Sequence, residues 1–170
     1  AQAKVPVVLE PLQNLPGIRT VHFRHEHNAC TAAMGYYSAT GKVGVASVTC
    51  GPGFTQTMTA LTSAVRNHIP MVIFVGEPPI TSVWYEQGID LAPFATACGA
   101  RYIAGHAAKR MHGYVREAFH YAKLERRPVV LGVPYDLQKE YMPDVGPYVP
   151  SSTIDPVTVP VPPNPEQMAR

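Results

Sequence analysis

The chain has no long hydrophobic run. Its apolar stretches, such as "PMVIFVG" (70–76), are far shorter than the ~20 residues that span a bilayer. It opens on "AQAKVPVVLEP", which has no secretory h-region. Charge is sparse, at 15% of residues with a formal net charge of +2, and no Lys/Arg run forms a basic patch. These absences argue against a membrane partner and against nucleic acid. The three cysteines, Cys30, Cys50 and Cys98, are odd in number and widely spaced, without a CxxC pair. They read as reduced thiols in a cytoplasmic protein. What is present is 46% hydrophobic residues in 170, enough for one compact globular domain.

Short β-branched runs alternate with longer helical segments. "RTVHFR" (19–24), "VGVASVT" (43–49), "MVIFVG" (71–76), "ARYIAG" (100–105) and "PVVLGVP" (128–134) read as strands covered on both faces. "EHNACTAAMGYYSATG", "FTQTMTALTSAVRNH", "YEQGIDLAPFATACG" and "KRMHGYVREAFHYAKLERR" read as the helices between them. This alternation predicts an α/β fold: a doubly wound, mainly parallel sheet of about five or six strands with helices on both faces. A short helix is expected in "VVLEPLQNLPGI". After Asp136 the chain turns proline-rich, so residues 1–140 read as the domain and 141–170 as an extended linker. The linker ends in "NPEQMAR", a helix just starting, and the whole reads as part of a longer protein.

Glu26 stands where the first predicted strand gives way to a helix. As a helix cap it would be favourable by ~0.3–1 kcal/mol. As a working group it would lie where open α/β sheets gather ligands, beside the small residues of "ACTAAMG". A carboxyl in such a pocket has its pKa raised, which suits proton exchange near neutrality. Both readings stand on the residues alone. The flanking His25 and His27 do not complete a zinc helix, because HExxH requires histidine where Ala29 stands, so no metal site is expected. "TCGPGFTQ" (49–56) places Gly51 and Gly53 in a dinucleotide-like spacing, but Gln56 replaces the third glycine. It is a tight turn whose backbone can approach a flat ligand. Ser47 lacks the glycines of a nucleophile elbow. Gln87 and Asp90 of "WYEQGID" read as solvated helix residues.

Taken together, "RHEHNACTAAMGYYSATGKVGVASVTCGPGFTQTMTALTSAVRNHIPMVIFVGEPP", with "EQGIDLAPF" and "RRPVVLGVPYDLQ" beyond it, resembles the N-terminal pyrimidine-binding domain of thiamine-diphosphate enzymes. The likeness is to the acetolactate synthase and pyruvate oxidase group and runs from about residue 18 to 138. The resemblance implies that Glu26 binds N1′ of the cofactor's aminopyrimidine. Sharing that proton favours the imino form, whose 4′-nitrogen deprotonates the thiazolium for attack on a 2-oxo acid. It implies that Thr49, Gly51, Pro52 and Gly53 lie along the pyrimidine, that Gln56 takes a place where asparagine is usual, and that Gln87 is near the substrate. It also implies Mg²⁺ and diphosphate ligands outside this chain, room for FAD in a central domain, and a homodimer or homotetramer formed through this domain. Helices starting near residues 27 and 53, almost free of charge, are the expected contact. A strand and helix that usually come first are missing, and Glu77 follows Gly76 where glutamine is usual. On this reading the isolated chain is inactive. Two alternatives are a subunit of a split 2-oxo acid decarboxylase and a non-catalytic α/β module that binds a partner protein.

Overall fold

The structure, a computed structural model, describes residues 15–140 and 146–155. Helix α1 runs Glu26–Thr40 and strand β1 Gly44–Val48. A short α2 (Pro52–Thr55) and α3 (Met58–Arg66) lead to β2 (Met71–Glu77). Helix α4 (Leu91–Ala97), β3 (Arg101–Ala104), α5 (Met111–Glu125) and β4 (Pro128–Pro134) follow. All pairings are parallel and the strand order is β1-β2-β4-β3.

Hydrophobic alternation on the strands explains the layers. Met71, Ile73 and Val75 of β2, with Val130 of β4, face one core with Cys30, Ala33, Leu61, Ala64, Leu91 and Ala95 of α1, α3 and α4. Val72 and Val129 face the other side, against Ala118 and Ala122 of α5. Strands β2 and β4 are central and buried along almost their whole length, as continuous apolar runs require. Helix α1 can press onto β1 because Gly44 has no side chain: a Cβ there would sit 2.1 Å from the Ala33 carbonyl oxygen. It ends at Gly41, which adopts φ 70 and returns its N–H to the Tyr37 carbonyl at 2.7 Å.

Three expectations are corrected. Residues 19–24 are not a strand. Val21 and Phe23 are 60% and 45% exposed, and the sheet has four strands among the described residues rather than five or six. Among the described residues no strand pairs with this run, and β1 pairs with β2. The helix expected over 54–68 is broken: Thr57 is buried and its hydroxyl donates to the Phe54 carbonyl at 2.7 Å, separating α2 from α3. Tyr85–Asp90 is a turn, closed by Gly88 N–H to the Tyr85 carbonyl at 2.8 Å, and α4 begins only after Asp90 accepts from the Ala92 N–H. The short helix expected near residues 7–18 and the one at 164–170 fall largely or wholly outside the described residues.

Residues 146–155 lie on α5. Asp155 bonds Lys123 at 2.7 Å and His120 at 3.1 Å, Lys123 donates to the Ser151 hydroxyl at 3.1 Å, and Tyr148 meets His112 edge to face. No described helix is long and apolar enough to cross a membrane.

Candidate functional site at the carboxyl edge of the sheet

Glu26 is the first residue of α1, with His25 as the cap: the His25 Nδ1 accepts from the His27 N–H at 3.1 Å. The cap is thus histidine, and Glu26 is free to turn toward the strand ends. It does so. Its Oε1 lies 3.5 Å from where a Cβ on Gly53 would sit, and the Thr49 Oγ1 lies 2.1 Å from the same point. The Thr49 hydroxyl and the Glu26 carboxylate therefore close on Gly53 so tightly that no side chain fits there. The Glu26 charge also reaches inward to Cys30, whose thiol is pushed up to about 12, by burial first and by Glu26 second.

The turn after β1 continues this surface. Gly51 adopts φ 58, and a Cβ there would lie 2.0 Å from the Gln87 backbone oxygen. That oxygen accepts from the Cys50 thiol at 3.3 Å. Gln87 thus comes to the 49–53 turn through its backbone, as part of the Tyr85–Asp90 turn. Pro52 opens α2, where a missing N–H costs nothing. Gln56 ends α2 with its side chain exposed and is not drawn into this cluster.

A second group sits further along the same edge. Glu77 ends β2 and is only 8% exposed. Its Oε2 lies 2.5 Å from Nε2 of His106, which follows β3. Burial pushes the Glu77 carboxyl up, while the hydrogen bond and charge of His106 pull it down and Asp90 adds an upward push. Cys50 is pushed up to about 11, by burial and then by Glu77. Tyr135 covers Gly76 and its phenol bonds the Cys50 backbone. The sequence flagged Glu77 only as a departure from a pattern. The usable signal was position: a Glu ending one strand and a His two residues beyond the end of another in one parallel sheet. Among the described residues, no group of three or more His, Cys, Asp or Glu is placed to hold a metal ion.

The fold and this edge define an α/β ligand-binding domain of the open-sheet kind, with a carboxylate facing a glycine turn. Residues 3–94 match the family described as "Thiamine pyrophosphate enzyme, N-terminal TPP binding domain", and the chain belongs to that family. It is 34% identical over 125 residues to the acetolactate synthase isozyme 2 large subunit of Escherichia coli (strain K12), covering 72% of this chain and 23% of that protein. It is 31% identical over 133 residues to the mitochondrial acetolactate synthase catalytic subunit of Saccharomyces cerevisiae, covering 76% and 19%. To an acetolactate synthase of Mycobacterium avium it is 47% identical over 70 residues, covering 41% and 11%. The chain is an N-terminal thiamine-diphosphate-binding domain of the acetolactate synthase-like kind, and it spans under a quarter of the length of these relatives.

Proposed function

We propose that this chain supplies the pyrimidine-side half of an active site that converts 2-oxo acids by decarboxylation and carboligation, as a thiamine-diphosphate-dependent transferase or lyase. Glu26 is the group that exchanges a proton with the aminopyrimidine. The observation that carries this is the close approach of the Glu26 carboxylate and the Thr49 hydroxyl to Gly53, where no side chain fits. A flat heterocycle needs a wall without side chains and one carboxylate at its edge, and both are present, so the residues fit the group. When bound, thiamine diphosphate supplies an acidic thiazolium carbon and an electron sink for the 2-oxo acid. The chain's own part is narrower. Gly51, Pro52 and Gly53 let the ring approach the backbone, Thr49 bounds its edge, and Glu26 holds and moves the proton. Gln87 lies beside the turn, on the substrate side, and Gln56 at its outer end.

Mg²⁺, the diphosphate ligands and any FAD belong to parts of the protein beyond this domain, and the reading places the whole enzyme in the cytoplasm. Residues 1–140 form the domain and 141–170 the link to the next one. The domain pairs with another copy, as a homodimer or homotetramer, through α1 and α3. Their outward positions Thr31, Tyr36, Ser38, Thr59, Thr62 and Ser63 are uncharged, with Arg66 the exposed charge at the end of α3, and α5 and residues 146–155 cover the opposite face of the sheet. Alone, the chain is inactive.

The test is hydrogen–deuterium exchange at the thiazolium C2 in the assembled enzyme. Glu26→Gln is expected to slow exchange on the order of 10²–10⁴-fold, the usual worth of a positioned acid–base group. Unchanged exchange would overturn the assignment.

A further inference from the structure

The path of the chain through the sheet marks a place distinct from the Glu26 turn. From β1 to β2 to β3 the helices lie on one face; the chain then returns through α5 on the other face and inserts β4 between β2 and β3. The loops leaving β2 and β3 therefore depart to opposite faces. In open α/β sheets a ligand crevice forms at such a switch point, outside the carboxyl ends of the strands. Here the residue ending β2 is Glu77, and the loop leaving β3 carries His106. They meet across β4 at 2.5 Å. Gly132 of β4 makes the crossing possible: a Cβ there would lie 2.3 Å from both Glu77 Oε1 and Tyr102 Oη.

A buried carboxylate costs free energy unless it is paired, and nothing in the core calls for one at this position. The pairing is asymmetric. Glu77's side chain is 11% exposed, whereas that of His106 is 53% exposed. One end of the pair is anchored in the sheet and the other is open to solvent at the carboxyl edge. A carboxylate on Nε2 fixes the imidazole's tautomer and orientation and leaves Nδ1 as the free base. The other titratable groups facing Glu77 are Cys50 from the turn after β1, Asp90 from the turn before α4, and Tyr102 of β3. Tyr135, after β4, borders Cys50. With its thiol pushed up to about 11, Cys50 stays protonated near neutrality, so this is not a Cys–His nucleophile.

We propose that His106, oriented by Glu77, is a second acid–base group of this site, which exchanges a proton with an oxygen of the bound 2-oxo acid. The substrate class rests on the proposed function above. When a carbonyl carbon is attacked, its oxygen gains charge and takes the proton from the imidazolium Nδ1. When the carbonyl re-forms in the product, the neutral imidazole takes the proton back. No electrons are gained or lost by the pair, and over one turnover its proton count is unchanged. Glu77 touches no substrate and is the positioning residue.

The experiment has two arms. In the full chain, ¹⁵N-histidine and ¹³C-glutamate NMR read the pair without any cofactor. Neutral His106 is expected as the Nε2–H tautomer, and His106→Gln is expected to move the Glu77 titration midpoint upward, because the pull that lowers it is gone. In the assembled enzyme, His106→Ala is expected to lower kcat on the order of a hundredfold at nearly constant KM. Added substituted imidazoles should restore rate in proportion to their basicity, while thiazolium C2 exchange stays at the wild-type rate. Glu77→Gln, which keeps an acceptor for Nε2–H, should lose less. An Nδ1–H tautomer, an unmoved Glu77 midpoint, or a kcat that neither falls nor answers to imidazole basicity would overturn the proposal. Failure of the Glu26 assignment would appear instead in C2 exchange of Glu26→Gln, with the NMR arm unaffected.

Discussion

At the residue scale the decisive quantity is room for one methyl group. Gly44 has none: the obstacle is backbone of α1, which cannot swing aside as a side chain can. Gly44→Ala is expected to cost about 1–3 kcal/mol, as overpacking does, read as a lower urea midpoint at unchanged slope. Gly113, inside α5, meets nothing within 4 Å and has no positive φ, so Gly113→Ala should stabilise by about 0.5–1 kcal/mol. The opposite signs of two identical substitutions would establish that packing, not composition, sets these positions. Gly53→Ala differs from both. Its Cβ would meet the Thr49 hydroxyl and approach Glu26, so it should weaken thiamine diphosphate binding more than it weakens the fold. Calorimetric titration beside a denaturation curve separates the two losses. Leu61, wholly buried between α3 and the sheet, should cost about 2–5 kcal/mol as Leu61→Ala.

At the element scale, β3 is an edge strand held to its neighbours by charge as well as by its ladder. Arg101 of β3 forms an ion pair with Glu125 at the end of α5, and Arg127 bonds the same carboxylate at 2.6 Å. Arg127 also donates to the Gly99 carbonyl at 3.2 Å, closing the corner before β3. The Arg101 hydrogen bond first, then Arg127, hold the Glu125 carboxyl below its ordinary 4.5. A lowered folded-state pKa contributes stability that is present above that ordinary value and is lost as pH falls through the folded one. Glu125→Gln should therefore be less stable than the wild type near neutrality, and the gap should close as pH falls below 4.5 and through the lowered folded value. A gap that stays constant with pH would assign the effect to packing. Glu77 has the opposite sign. Its raised pKa makes the ionised form the costly one, so its contribution declines as pH rises through the folded value.

At the scale of the whole molecule, the two faces of the sheet are unlike. Helix α5 and residues 146–155 close one, through Lys123, His120 and Asp155. Asp155 is held below its ordinary 3.8, by Lys123 first, so this clasp should loosen as pH falls through its folded value. Asp155→Asn should release residues 146–155 from α5, which limited proteolysis would report as faster cleavage after Lys139. The other face presents the outer positions of α1 and α3, where Arg66 at the end of α3 is the exposed charge among Thr, Ser and Tyr. Sedimentation across concentrations should show self-association, and Thr62→Glu, a charge on the exposed side of α3, should weaken it. A strict monomer at every concentration would overturn pairing through this face.

The sequence by itself determined the fold class and four of the strands, because their apolar runs are continuous and buried on both faces. It also marked Glu26 and the glycine turn, because both lie within short local motifs. It misjudged residues 19–24, since an apolar run becomes a strand only where another strand stands beside it, and that is a fact of neighbours. It misjudged the break at Thr57 and the turn at 85–90 for a local reason: one buried hydroxyl and one turn bond, each reaching three residues back, decide them. Only the tertiary structure brought Glu77 to His106. They are 29 residues apart, and a parallel crossover that inserts β4 between their strands closes that gap to 2.5 Å over a glycine.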